Sequence, residues 1–181
     1  MISMLAVMFA LGCDSAPTDP TAHSFAATNP SGFADGKLRC FTGGGGKCSV
    51  TATGAKLTVG VGGWAGVYYK NTAVGGLAIG NVQQMSFTYT GGPLAGGSPR
   101  FSIPIDETAG ASTAPAYAFI SNGCDQYVVD AFVCEVNYKN QTHTGWAAFA
   151  AANPGYRMSH DIPFVIVDQP GNFVITEVVV K

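Results

Sequence analysis

Val82-Gln83-Gln84-Met85-Ser86-Phe87-Thr88-Tyr89-Thr90 places Met85, Phe87 and Tyr89 at every second position, with Ser86 and Thr88 between them. Successive side chains of a strand point to opposite faces, so the stretch predicts a strand with one buried face and one wet face. Beyond a glycine-rich turn at 91–97, Phe101, Ile103 and Ile105 repeat the period, while Ser102 and Pro104 sit opposite. Proline cannot donate to a ladder, which predicts an edge or a bulge at Pro104.

The same short-strand grammar extends both ways. Strands are predicted at 38–42, 47–53, 56–61, 64–69, 116–121, 127–133, 164–167 and 173–180, punctuated by turns such as Gly43-Gly44-Gly45-Gly46. Only 144–152 favours a helix: Trp146, Phe149 and Ala150 share one face, Thr144 offers an N-cap, and Asn153-Pro154-Gly155 supplies a stop. Roughly ten strands with hairpin spacing predict an all-β fold, a two-sheet antiparallel β-sandwich, jelly-roll-like, with one short helix near 144–152. An immunoglobulin-like sandwich or a barrel is the competing topology.

Composition agrees. Of 181 residues only 11% are charged, against an ordinary quarter, while 24 are glycine and 11% are aromatic. Nine basic residues, eleven acidic ones and no basic run leave no electrostatic footprint for nucleic acid.

At the N-terminus, the uncharged apolar run from Ile2 to Gly12 meets Cys13, and Asp14-Ser15-Ala16-Pro17 follows. The pattern is that of a bacterial lipoprotein export signal, too short for the ~20 residues of a membrane span. The expected organisation is an export signal at 1–12, a flexible tether at 13–35 with Phe25 and Phe33 as its large anchors, and a β-sandwich domain at 36–181. Cys13 is the expected lipidation site and the only expected tie to a membrane. The expected location is the cell envelope or the extracellular space.

The remaining cysteines, Cys40, Cys48, Cys124 and Cys134, form two close pairs, as an oxidising compartment permits. Local pairing is preferred among three connectivities, and a long-range bond such as Cys48 to Cys134 stays open. Neither Cys-x-x-Cys nor a nucleophile motif occurs, and the four-glycine run lacks the Gly-Lys-Ser/Thr that phosphate cradling requires. His23, His143 and His160 show no ligand spacing. Asp106, Glu107, Asp125, Asp130 and Asp168 are dispersed, so a glycan-active hydrolase is the weakest of three functional readings.

Two features point to ligands. Trp64 between glycines, with Tyr68, Tyr69, Gln83 and Tyr127, offers flat faces and amides for a sugar, and the adjacent tyrosines cannot both face the core. Glu177 alternates in step with Phe173 and Ile175. A lone carboxylate there needs either a cation, with calcium the natural oxygen-seeking choice, or a bulge that lets it reach water.

Thr144-Gly-Trp-Ala-Ala-Phe-Ala-Ala-Ala-Asn-Pro-Gly155, Pro163-Phe-Val-Ile-Val-Asp-Gln-Pro-Gly171 and Phe173-Val-Ile-Thr-Glu-Val-Val-Val180 resemble the end of secreted bacterial jelly-roll domains of the carbohydrate-binding-module type. Strands 82–105 resemble their central sheet. The likeness implies a jelly roll, a glycan ligand and a calcium site near the terminal strands, where Glu177 is the acid in a compatible place. The resulting expectation is a non-catalytic exported surface domain that binds glycan or another extracellular ligand. A structural or adhesive envelope lipoprotein, with an envelope protein as partner, is the alternative. No cofactor beyond a structural calcium ion is expected.

Overall fold

Met85, Phe87 and Tyr89 turn inward together on β5 (Met85–Gly91), and Phe101, Ile103 and Ile105 do so on β6 (Arg100–Asp106), all essentially shut off from water. The two strands are not hydrogen-bonded neighbours. The turn between them carries the chain from one sheet to the other, and their apolar faces meet across the sandwich, with Phe87 edge-on to Phe101 at 5.4 Å between ring centroids. Burying both greasy faces against each other removes more apolar area than laying them side by side.

The computed structural model describes residues 38–51, 54–70, 72–92, 96–108 and 115–181. The expected export signal, the tether and Cys13 lie outside them. Eight strands build the larger sheet: β1 (Leu38–Gly43), β4 (Trp64–Tyr69), β12 (Phe164–Val167), β6, β7 (Ala116–Asn122), β9 (Glu135–Tyr138) and β10 (Gln141–Thr144) in that spatial order, with β11 (Arg157–Met158) paired to β6. Five strands build the smaller sheet in the order β2 (Lys47–Thr51), β3 (Gly54–Val59), β13 (Gly171–Val180), β5 and β8 (Val128–Asp130). All pairings are antiparallel. The chain is therefore a two-sheet sandwich with one short helix, of a jelly-roll-like kind.

Cysteines pair locally, Cys40 with Cys48 and Cys124 with Cys134. Each bond sits where the chain changes sheet. The first joins edge strand β1 of the larger sheet to edge strand β2 of the smaller one; the second closes the excursion that leaves β7, lends β8 to the smaller sheet and returns at β9. That excursion also protects an edge. Val128 N–H donates to Asp125 O, while Asp130 O accepts from both Val133 and Cys134, so β8 offers few free ladder groups to another chain.

Four local expectations change. Pro104 lies in a central strand, not at an edge: its carbonyl accepts from Ser159 N–H where β12 has ended and β11 has only begun, so the missing donor falls in a gap of the ladder. The strand expected at 127–133 is only Val128–Asp130, because the turn at 131–133 returns the chain to the larger sheet. A hairpin, β9–β10, occupies residues given no strand from sequence. Its two-residue turn puts both Lys139 and Asn140 at positive φ, 46° and 62°, as a type I′ turn demands, without the glycine that usually marks one.

Helix α1 (Trp146–Ala152) buries Trp146, Phe149 and Ala150 as expected and seals one end of the sandwich. Its start differs. Thr144 belongs to β10, and Gly145, at φ 85°, is the N-cap without a side-chain bond; Trp146 N–H instead donates to Ala131 O at 2.6 Å. At the other end, Asn153 Nδ2 donates to Phe149 O at 2.9 Å.

Candidate functional site

Core positions on the larger sheet are Leu38, Val67, Tyr69, Val165, Phe101, Ile103, Ala118, Ile120, Val136 and Tyr138. The intervening residues must point outward. Strand register aligns seven of them in one row across the sheet: Arg39, Tyr68, Phe164, Ser102, Phe119, Asn137 and Thr142. At a strand spacing of roughly 4.8 Å the row is about 29 Å wide. A second row, Phe41, Gly66, Ile166 and Arg100, runs beside it, and Trp64 lies opposite Gly43 beyond that.

This outward face carries six aromatic rings in continuous contact. Phe41 lies 4.8 Å from Tyr68 in a stacked pair, 5.7 Å from Trp64 and 5.5 Å from Phe164; Phe164 meets Tyr117 at 5.7 Å, and Tyr117 stacks with Phe119 at 6.4 Å. Small residues make the arrangement possible. An added Cβ at Gly66 would strike the Phe41 ring at 2.3 Å, and one at Gly46 would strike the Trp64 carbonyl at 2.0 Å. The four-glycine turn is therefore a seat for Trp64.

Polar groups accompany the rings. Arg100 Nη1 pairs with Asp168 Oδ2 at 2.5 Å, and its guanidinium rests 5.6 Å over Phe119. Ser98 Oγ accepts from Asp168 N–H at 3.0 Å, and Thr142 Oγ1 donates to Asn137 Oδ1 at 2.7 Å. Burial, and then the neighbouring Tyr117 phenol, push the Tyr68 hydroxyl well above the ordinary phenol value, so it remains a protonated donor.

Of the residues singled out from sequence, Trp64 and Tyr68 come together on this face. Tyr69 faces the core at 9% exposure, so the adjacent tyrosines do divide between the two sides. Gln83 is exposed just before β5, its N–H donating to Lys181 O. Tyr127, at φ 70°, lies against Tyr89 beside the edge of the smaller sheet. Phe41, Tyr117, Phe119 and Phe164 were missed by sequence reasoning. A signal existed: Tyr117-Ala118-Phe119-Ile120 is apolar on both faces, which a half-wet strand does not need.

Glu177 sits on a bulge. Thr176 pairs with Thr88 and Val179 with Ser86, so Glu177 and Val178 together oppose one residue of β5. The extra residue breaks the two-residue period where Glu177 would otherwise enter the core. It takes φ 50° and reaches solvent, so burial creates no demand for a cation. Among the described residues no group of three His, Cys, Asp or Glu side chains could hold a metal ion.

A second polar cluster braces the helix end. Glu107 Oε1 accepts from Tyr138 Oη at 2.7 Å and Tyr156 Oη at 3.2 Å, and pairs with Lys139 Nζ at 2.6 Å. Lys139 first, then Tyr138, hold the Glu107 carboxyl below its usual range. A depressed folded-state value means the contribution is fully present above the unfolded carboxylate pKa, about 4.3, and fades as pH falls through the lower folded value. Because the pair is partly exposed, Glu107→Gln is expected to cost only about 0.5–1 kcal/mol at pH 7. Urea unfolding of both proteins over a pH series should show that difference shrinking in acid; a difference independent of pH would contradict the charge assignment.

No family model, curated protein or solved structure matches the chain.

Proposed function

We propose that this chain is a non-catalytic, exported surface domain that holds an extracellular glycan on the outward face of its larger sheet. The carrying observation is the unbroken patch of six aromatic rings pointing away from the core, with Arg100, Asp168, Asn137 and Thr142 beside it. None of the six belongs to the core cluster between the sheets. Flat aromatic surfaces suit the apolar faces of sugar rings, and flanking donors and acceptors suit their hydroxyls. Two disulfides support an oxidising compartment, in keeping with the export signal read at 1–12.

Trp64→Ala is expected to weaken retention on a polysaccharide column at least about tenfold, the scale of a central aromatic anchor. Far-UV circular dichroism and cooperative unfolding should persist, since Trp64 lies outside the core cluster. Unchanged retention across a broad glycan array would remove the reading.

One observation favours the adhesive alternative. Tyr127, Val128, Phe132 and Val133 are all exposed on the loop closed by Cys124 and Cys134, a rigid apolar knob at the far edge of the smaller sheet.

A further inference from the structure

Asn122-Gly123 is the one Asn-Gly pair in the chain, and the fold leaves it free to react. β7 ends on it. Between Ile120 and Asn122 the ladder with β9 slips its register, Asn122 then pairs with Glu135, and Gly123 turns out of the strand at φ 66°. Both residues are exposed, and among the described residues neither the Asn122 side-chain amide nor the Gly123 N–H has a hydrogen-bond partner. A glycine in second place has no Cβ to hold its nitrogen away from the preceding side chain.

We propose that Asn122 is a self-modification site, at which the chain's own backbone converts the side-chain amide to an acid with water as the co-reactant. The Gly123 nitrogen gives up its proton to hydroxide and bonds to Asn122 Cγ; the Cγ–Nδ2 bond breaks and ammonia leaves, closing a cyclic imide. Water then opens that ring at either carbonyl, giving aspartate or isoaspartate. Water is consumed and ammonia released in equal amounts, and nothing is oxidised or reduced. The product faces an acid. Glu135 is the cross-strand partner of Asn122, so the change sets two carboxylates directly opposite each other, a destabilising pair in a sheet. Isoaspartate also adds an atom to the main chain where the register has already slipped. Both effects fall on the junction of β7 with β9, and the bond between Cys124 and Cys134 ties the chain just outside that junction, so the modified protein stays folded.

The test holds the full-length, oxidised protein at mildly alkaline pH below its unfolding temperature. Peptide mass mapping follows each asparagine, and labelling by an isoaspartate-specific methyltransferase gives a second readout. The expected result is conversion at Asn122 severalfold faster than at Asn81, Asn137, Asn140 or Asn172, rising with pH, and within severalfold of its rate in the urea-unfolded chain. Asn122→Gln, whose longer side chain closes a ring far more slowly, should suppress it. Asn122→Asp should lower the urea midpoint relative to the wild type and to Asn122→Gln, by an amount that shrinks at high salt, and amide exchange should rise first at Glu135. An intact Asn122 after the other asparagines have begun to convert overturns the proposal. So does conversion confined to the unfolded chain, which would show that the strand pairing protects the pair. Conversion at Asn122 together with an unchanged midpoint for Asn122→Asp overturns the opposed-acid consequence.

Discussion

Replacing Trp146 by alanine is expected to lower the unfolding free energy by ~3–5 kcal/mol, the range for truncating a fully buried large aromatic. The indole is 1% exposed, packs edge-on against Phe149 at 5.1 Å and donates from Nε1 to the Ile79 carbonyl at 2.9 Å. Alanine keeps the backbone bond to Ala131 but leaves a cavity and takes from the Ile79 carbonyl its shorter hydrogen bond, so that only the 3.4 Å bond from Val82 N–H remains. A domain of this kind has about 5–15 kcal/mol in total, so the thermal midpoint should drop by on the order of 10–20 °C. Trp146→Phe should recover part of the loss by filling the space without restoring the hydrogen bond. Thermal melts of the three proteins check this ranking, and a loss below about 1 kcal/mol for alanine would mean the helix does not seal the core.

The second large effect concerns sulfur. Each disulfide closes a short loop, with sequence separations of 8 and 10, and should contribute ~2–4 kcal/mol by restricting the unfolded chain. The two sites lie at different crossings between the sheets, so the effects should add, to about 4–8 kcal/mol. Loss of that much would bring the reduced protein close to unfolding at ordinary temperature. Urea titration with and without reductant measures the sum. Replacing each pair by alanine separates the parts: without Cys124–Cys134, amide exchange should rise first at Val128–Asp130, since β8 is held in the smaller sheet by pairing with β5 alone. Equal midpoints for oxidised and reduced protein would contradict the role given to the bonds.

Much of this architecture was legible because a two-residue period survives burial. Met85, Phe87 and Tyr89, like Phe101, Ile103 and Ile105, announce their strands and their core face together. What was not legible depends on partners distant in sequence. Pro104 reads as an edge residue until the gap between β12 and β11 is seen, and Lys139-Asn140 gives no glycine to advertise its turn. Nothing local tells that β5 and β6 face each other across the core. The outward face suffers most: Trp64 and Tyr68 stand out by type, but Phe41 and Phe164 resemble core residues until register shows which way they point. Glu177 is the converse case, a residue placed in the core by period and thrown out by one extra residue in its strand.

A titration of isotope-labelled protein with soluble oligosaccharides, followed by amide chemical shifts, tests the assignment of the outward face most directly. Shifts confined to the residues around Tyr68, Phe119 and Trp64, and absent from the smaller sheet, are the expected result. Saturating shifts centred on Tyr127 and Phe132, or on neither face with any sugar tried, would contradict it.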